Sequence, residues 1–265
     1  MPHLDVNGTS LYYEDTGPGS TGETIAFSHG LLWSTALFAP QIEALRARYR
    51  CIAWDHRGQG RSAADTRRCI GIELVWQDAC ALLDALALGP VHLVGLSMGG
   101  FVAMRVAARR PDLVKKLILL ETSADPEPLA NVKRYRLLTA ITRAVGPRVL
   151  AGRVAPIMLG KSILTDPARK ADVARFNDIM TARRDVWRAV NGVIDRAGCF
   201  DELSRIRART LVMVGDEDVA TPRPKSERIC AGIAGAELVG LNRAGHSSPV
   251  EEPHQVSAAI ERFLA

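Results

Sequence analysis

The stretch that decides the fold reads VGLSMGG and occupies residues 94–100. An apolar run typical of a buried strand, residues 91–96, leads into Ser97, and a pattern typical of a helix, residues 98–110, leads away from it. Glycines two residues before and after the serine suit a sharp strand-to-helix turn, because side chains there would collide with neighbouring backbone. Such a turn would lift the Ser97 hydroxyl above the edge of the sheet, where it could act as a nucleophile.

The rest of the chain repeats this alternation of strand and helix. Short runs rich in Val, Ile and Leu recur between longer helical patterns, which is typical of a parallel sheet covered on both faces. We therefore predict an α/β fold with an eight-stranded, mostly parallel sheet, helices on both faces and an inserted helical cap. The predicted strands are residues 4–6, 10–14, 24–28, 50–54, 91–96, 116–120, 210–214 and 236–241, the first two antiparallel. The predicted core helices are residues 35–48, 71–88, 98–110, 223–231 and 253–263.

The alternation stops between residues 125 and 199, where helical patterns such as 131–145 and 170–194 occur without a convincing strand. We predict that residues 1–124 and 200–265 form one core domain and that residues 125–199 form the cap. This segment holds 14 Lys and Arg against 7 Asp and Glu, so it carries the whole positive excess of a chain with a formal net charge of +5. It lacks interleaved aromatic residues and nucleic-acid-binding motifs, so solvated helical faces explain the charge better than nucleic acid does.

A serine hydroxyl becomes an effective nucleophile at neutral pH when a base removes its proton, which calls for a nearby histidine. Among the six histidines, His246 follows the last predicted strand, at the carboxyl edge where open α/β sheets gather their sites. The imidazole in turn needs a carboxylate to orient it. Asp216, Glu217 and Asp218 all follow the seventh predicted strand, and we select Asp218. The predicted catalytic residues are therefore Ser97, His246 and Asp218.

Acyl transfer also builds negative charge on a carbonyl oxygen, which two backbone N–H groups can stabilise. We predict that these groups belong to Met98, directly after the nucleophile, and to Leu31, in the loop after the third strand. Leu32 and Trp33 in the same loop are predicted to line an apolar substrate pocket. His29, at the start of that loop, is interpreted as a residue that orders the loop rather than as a base.

Cysteine usage and hydropathy exclude several other classes of protein. The five cysteines form no C-x-x-C motif and no Cys/His cluster, so we predict no metal site. No stretch approaches the roughly 20 apolar residues needed to span a bilayer, and the first residues do not resemble a secretory signal. We therefore expect a cytoplasmic protein that has neither a membrane nor a nucleic acid as its partner.

With Ser97, Asp218 and His246 in this chain order, and His29-Gly30 ahead of them, the sequence resembles the α/β-hydrolase superfamily over essentially its whole length. Further stretches similar to the family are DHRGQGRS at 55–62, PDLV at 111–114 and GDED at 215–218. Within the superfamily, GLSMGG at 95–100 and the short cap look most like the carboxylesterase, 3-oxoadipate enol-lactonase and cofactor-free perhydrolase group. Members that open epoxides or displace halide carry an aspartate where this chain has Ser97, which argues against those reactions.

The resemblance implies that the cap roofs the active site and selects the substrate, and that no cofactor is needed. We expect a serine hydrolase that cleaves a small-molecule ester or lactone through an acyl-enzyme. The motifs leave open thioester hydrolysis, perhydrolysis, acyl transfer and C–C bond hydrolysis on the same residues, and also a non-catalytic ligand binder on the same fold. Arginines of the cap would mildly favour a substrate that bears a carboxylate. These arginines are Arg134, Arg136, Arg183, Arg184 and Arg188. Whether the chain forms a homo-oligomer is also left open.

Overall fold

The predicted alternation of strands and helices is present in the computed structural model, which describes residues 2–265. Within these residues, eight strands form one sheet in the order β1-β2-β4-β3-β5-β6-β7-β8. β1 pairs antiparallel with β2, and β2 with β4, whereas the other neighbours are parallel, which confirms the predicted sheet. The strands are β1 His3–Val6, β2 Thr9–Asp15, β3 Thr24–Ser28, β4 Arg50–Trp54, β5 Val91–Leu96, β6 Val114–Leu120, β7 Arg209–Gly215 and β8 Glu237–Leu241.

Helices surround this sheet and also make up the insert between β6 and β7, which is the segment predicted to form the cap. The core helices are α1 Ala39–Leu45, α2 Ile72–Ala85, α3 Met98–Arg109, α9 Arg223–Gly232, α10 Ser248–Glu251 and α11 Pro253–Leu264. The helices of the insert are α4 Leu129–Val145, α5 Ala151–Met158, α6 Lys161–Thr165, α7 Lys170–Met180 and α8 Trp187–Ile194. Across residues 2–265, none of these helices is both long enough and apolar enough to cross a membrane.

Two hydrophobic clusters enclose the sheet, one on each face. Residues of α2, α3 and α9 pack with Leu93 and Leu117 in one cluster. Residues of α1 and α11 pack with Val94 and Ile118 in the other. Neighbouring residues of β5 and β6 thus point to opposite faces, and both faces are buried. This explains why these strands appear in the sequence as uninterrupted apolar runs.

Two helical patterns are interrupted where a single helix was predicted. Residues 35–48 fold as a 3-10 turn over Thr35–Phe38 followed by α1, because Pro40 in the first turn of α1 has no N–H to continue an earlier helix. Residues 170–194 divide into α7 and α8. Between those two helices, Arg183 Nη1 donates hydrogen bonds of 3.1 Å to the carbonyls of Gly60 and Ser62. Between α7 and α8 the chain is therefore held by hydrogen bonds to a core loop and not by the backbone hydrogen bonds of a helix.

The insert packs onto the core at the edge where the parallel strands end. Met158, Ile163 and Phe176 of the insert belong to the same hydrophobic cluster as Val250 of α10. Glu217, which follows β7, accepts hydrogen bonds from the Ser162 N–H at 2.7 Å and from the Ser162 hydroxyl at 2.6 Å. A carboxylate after β7 thus holds the first turn of α6, and the insert lies over the carboxyl ends of the strands.

Candidate active site

Ser97 lies in a strained turn between β5 and α3, at φ 52° and ψ −113°. A Cβ atom at Gly95 would lie 2.5 Å from the Gly99 carbonyl oxygen, and a Cβ atom at Gly99 would lie 1.9 Å from the Ser28 carbonyl oxygen. Both glycines are therefore required by close backbone approach. The Ser97 N–H donates to the Leu120 carbonyl at 2.9 Å, which fixes the turn against β6. The strain is thus compensated by the surrounding sheet.

The three residues proposed from the sequence are brought together by the fold. The Ser97 hydroxyl lies 2.8 Å from His246 Nε2, and His246 Nδ1 lies 3.1 Å from each Asp218 oxygen. All three residues are buried, Ser97 being 8% exposed. With its proton on Nδ1, the imidazole points this N–H at Asp218 and leaves Nε2 free to accept the serine proton. This is the arrangement of nucleophile, base and orienting acid that acyl transfer requires.

Asp218, and neither Asp216 nor Glu217, contacts the histidine. Its Oδ1 accepts hydrogen bonds from the N–H groups of Ala220 and Thr221, at 2.8 and 3.1 Å, and its Oδ2 accepts from the Thr221 hydroxyl at 2.7 Å. Burial tends to raise the pKa of Asp218, but the His246 charge and these hydrogen bonds hold that pKa below its ordinary range. The Asp218 side chain is therefore ionised at neutral pH. Asp216 is exposed, and Glu217 is engaged with the cap.

The ionised Asp218 also acts on the protonation of His246. Burial of the ring by itself disfavours the imidazolium, but the charge and hydrogen bond of Asp218 outweigh that effect. The pKa of His246 is therefore raised above its ordinary value of 6.5. Glu251 contributes to the same rise through its own negative charge. The raised pKa makes His246 a stronger base, which suits it to taking the Ser97 proton and returning it within one reaction.

Two backbone N–H groups are available beside the nucleophile. Within residues 2–265, the N–H groups of Leu31 and Met98 have no hydrogen-bond acceptor, and Met98 begins helix α3. The first N–H groups of a helix point along its axis toward the preceding turn, where they can stabilise negative charge. His29 orders the loop that carries Leu31, because its Nε2 accepts the His56 N–H at 3.0 Å and its Nδ1 lies 2.7 Å from the Gly30 carbonyl.

A largely apolar cavity of about 190 Å³ adjoins Ser97 and His246. Leu32, which was predicted to line a substrate pocket, lines it from the core together with Leu31. Its cap wall includes Leu138, Leu150, Val154, Ile157, Val190 and Ile194. The insert therefore covers the nucleophile and encloses a space suited to an apolar group.

Trp33 does not line this cavity, although it lines a second, more open pocket together with Leu32. Its side chain is buried in the core at 1% exposure, and its ring lies 5.6 Å from that of Phe176. Its indole N–H donates to the Ser247 hydroxyl at 3.1 Å. A buried indole needs an acceptor for its N–H, and Ser247 provides one directly beside His246. Trp33 therefore supports the loop that carries the histidine instead of contacting the cavity.

The cap arginines that suggested an anionic substrate also lie elsewhere, and none of the five borders the cavity. Arg136 pairs with Asp195 at the surface. Arg183 and Arg188 donate to backbone carbonyls of the core loop at 60–67. Their charges attach the cap or face solvent, so they give no support to a carboxylate-bearing substrate.

Glu251 is a residue of this site that the sequence analysis did not identify. Its carboxylate accepts three backbone N–H groups, from Gly160 at 2.7 Å, Gly245 at 3.0 Å and Ser247 at 2.8 Å. These bonds join the cap to both residues that flank His246. In the sequence, the pair Glu251-Glu252 is typical of a solvated helix terminus, and only the fold reveals that the first of the two is buried.

The model of the alpha/beta hydrolase family matches residues 25–259. Two relatives bear the name "Putative carbamate hydrolase RutD". The one from Variovorax paradoxus (strain S110) is 31% identical over 258 residues and covers 96% of both chains. The one from Rhizobium rhizogenes (strain K84) is 29% identical over 245 residues, which are 91% of this chain and 92% of the relative.

Two solved structures are similar over the whole chain. A thermophilic esterase from Thermogutta terrifontis, with malate bound, is 27% identical with a TM-score of 0.91, covering 100% of this chain and 98% of that one. The enol-lactonase from Burkholderia xenovorans LB400 is 27% identical with a TM-score of 0.90, covering 99% of both. The matched family region includes the nucleophile turn, the strand before Asp218 and the His246 loop. The chain is therefore a hydrolase that belongs to the alpha/beta hydrolase family.

Proposed function

We propose that this hydrolase cleaves a carboxylic ester or lactone through an acyl-enzyme formed on Ser97. The observation that carries the proposal is the continuous hydrogen-bonded chain from the Ser97 hydroxyl through His246 to Asp218. The unpaired N–H groups of Leu31 and Met98 beside it, and the apolar cavity above it, support the same reaction. The substrate in this proposal is a small molecule, and no cofactor takes part.

In the first half of the reaction, the Ser97 oxygen attacks the carbonyl carbon while its proton passes to His246 Nε2. The carbonyl π electrons move onto oxygen, and the resulting oxyanion accepts the N–H groups of Leu31 and Met98. Asp218 stabilises the imidazolium that forms. The intermediate collapses when the C–O bond to the alcohol breaks, and the departing oxygen takes the proton from His246. The acyl group is then joined to Ser97 as an ester.

In the second half, His246 Nε2 takes a proton from water as the water oxygen attacks the acyl carbon. A second oxyanion forms in the same place and is stabilised by the same two N–H groups. Its collapse breaks the bond to the Ser97 oxygen, which regains the proton from His246. The carboxylic acid leaves and the starting protonation states are restored. A lactone follows the same two steps, except that its alcohol and acid remain one molecule.

Carbamate hydrolysis is a second candidate, and the names of the two RutD relatives favour it. Ser97 could attack a carbamate carbonyl with the same proton transfers. The carbamate nitrogen donates electrons into the carbonyl, however, so the carbamoyl-serine reacts with water more slowly than an acyl-serine does. The apolar cap wall over Ser97 also suits an alkyl chain better than it suits a small polar carbamate. An ester hydrolase should therefore hydrolyse an ester faster than a carbamate, whereas a carbamate hydrolase should show the reverse preference.

The discriminating experiment compares 4-nitrophenyl butyrate with 4-nitrophenyl carbamate at equal concentration. We expect the ester to be hydrolysed with a kcat/KM at least about 100-fold higher, a transition-state difference of about 2.7 kcal/mol. Release of 4-nitrophenol measures both reactions. A carbamate turned over at the same rate as the ester, or faster, would favour the carbamate function. Turnover of neither substrate by the folded protein would reject both candidates.

The pH dependence of ester hydrolysis provides a further prediction. Only neutral His246 can accept the Ser97 proton, and the neutral fraction grows as pH rises. Since the pKa of His246 is raised above 6.5, kcat/KM should increase with pH and reach half of its maximum above pH 6.5. The measurement is kcat/KM for 4-nitrophenyl butyrate between about pH 5 and pH 9, corrected for spontaneous hydrolysis. A flat profile, or one that falls over this range, would contradict His246 as the general base.

A further inference from the structure

An ion pair forms part of the largely apolar cavity wall. Arg196 and Glu127 both line the cavity, with side chains 5% and 11% exposed. Arg196 Nη1 donates to Glu127 Oε2 at 2.8 Å and to the Val193 carbonyl at 2.8 Å, and Nε donates to the Asp125 carbonyl at 3.2 Å. The guanidinium charge is therefore matched by a carboxylate inside the protein.

The second cation of this wall is matched in the same way. Lys225 lines the cavity, and its Nζ donates to Asp125 Oδ2 at 2.7 Å. The other Asp125 oxygen accepts from Arg228 at 2.8 Å. Neither cavity-lining cation is thus left to attract an anion. Glu127 is the acid that lines the cavity beside them.

The ion pair and the nucleophile line the same cavity. The Arg196 guanidinium carbon lies 4.3 Å from the centre of the Phe101 ring, which also lines the cavity. Phe101 lies in the first turn of α3, and its N–H donates to the Ser97 carbonyl at 3.0 Å, so the two residues are neighbours at the floor of the cavity. An acyl chain of a few carbons attached to Ser97 could therefore reach the Phe101 ring and the Arg196–Glu127 pair.

From this placement we propose that the cavity accepts neutral, apolar acyl groups and rejects acyl groups that end in a carboxylate, and that Glu127 is the residue responsible. The inference rests on the proposed ester hydrolysis. A second carboxylate beside Arg196 would lie next to Glu127 in a largely apolar cavity, where two negative charges repel more strongly than they do in water. Removal of the Glu127 charge would leave Arg196 unmatched and convert the same place into a carboxylate site.

The test compares two esters of equal chain length, 4-nitrophenyl hexanoate and mono-4-nitrophenyl adipate. The wild type should prefer the hexanoate ester by at least about 100-fold in kcat/KM. Glu127→Gln should reduce that preference by about tenfold or more, chiefly by lowering the KM for the adipate ester. The amide is close in size to the carboxylate, and the neighbouring Asn131 side chain can reorient to keep its hydrogen bond to residue 127.

Two further variants separate a local charge effect from a general one. Asp195→Asn also removes one negative charge from the cap, but Asp195 pairs with Arg136 at the surface and does not line the cavity, so the preference should stay as in the wild type. In the double variant Glu127→Gln/Arg196→Met, the gain toward the adipate ester should disappear. A wild type that prefers the adipate ester would overturn the proposal, as would a Glu127→Gln preference equal to that of the wild type.

Binding to Ser97→Ala distinguishes failure of this inference from failure of the proposed function. Calorimetric titration of that variant with each ester measures selection by the cavity without turnover. Preferential binding of the hexanoate ester, together with no hydrolysis of either ester by the wild type, would reject the ester hydrolase and retain the cavity selectivity. Equal binding of the two esters would reject the selectivity whatever the wild type hydrolyses.

Discussion

Ser97→Ala is expected to lower kcat for 4-nitrophenyl butyrate by about 10⁵-fold, while KM changes little. The hydroxyl that lies 2.8 Å from His246 Nε2 is the atom that forms the acyl-enzyme, and alanine offers no replacement. The N–H groups of Leu31 and Met98 and the cavity stay in place, so some hydrolysis by water should remain. This residual rate reports what electrostatic stabilisation and binding contribute without a nucleophile. The measurement is steady-state release of 4-nitrophenol with both proteins at equal concentration.

Ser123 provides the matched control for this experiment. It lines the same cavity and is 3% exposed, but its hydroxyl accepts the Asp125 N–H at 3.1 Å, and it makes no hydrogen bond to His246. Ser123→Ala should therefore keep kcat within about threefold of the wild type. A fluorophosphonate probe should label the wild type and Ser123→Ala but not Ser97→Ala. If Ser97→Ala retained a tenth or more of the wild-type kcat, the acyl-enzyme on Ser97 would be wrong.

The central part of the fold and of the candidate site could be predicted because the signals are local. The turn around Ser97 needs glycine at fixed distances along the chain, since backbone atoms of β3 and α3 approach it closely. His246 and Asp218 could be assigned because parallel strands bring their carboxyl ends to one edge of the sheet. The choice of Asp218 over its two acidic neighbours depends on which carboxylate faces the imidazole, and only the folded loop settles that.

The surroundings of several other residues could not be predicted, because they depend on contacts between distant parts of the chain. Trp33 appeared suited to a pocket wall because it follows Leu32, yet its indole N–H pairs with a serine more than 200 residues away in sequence. Glu251 bonds to a cap residue that lies 91 positions earlier. The cap arginines suggested an anion site, but Arg183 and Arg188 donate to carbonyls of a core loop and Arg136 pairs with Asp195. Neither composition nor periodicity carries information about such pairs.

Asp218→Asn is the second prediction with a large effect, and it should reduce kcat by about 10³- to 10⁴-fold. Both Asp218 oxygens lie 3.1 Å from His246 Nδ1, and their negative charge holds the imidazole with its proton on Nδ1. An asparagine amide can present its own N–H to the ring, and this would favour the tautomer whose Nε2 already carries a proton. In that tautomer the histidine cannot accept the Ser97 proton.

The pH profile of the same variant separates this effect from a loss of folding. Asp218 is the main cause that raises the pKa of His246, whereas burial of the ring acts in the opposite direction. With the carboxylate gone, the pKa of His246 should fall, so the residual kcat/KM should reach half of its own maximum at a lower pH than in the wild type.

Asp216→Asn is the matched control, because Asp216 is exposed and its substitution should leave both the rate and the profile unchanged. A misfolded Asp218→Asn protein would lose activity without moving this midpoint. If circular dichroism shows that the variant is folded, an unchanged or raised midpoint would show that Asp218 does not act through His246.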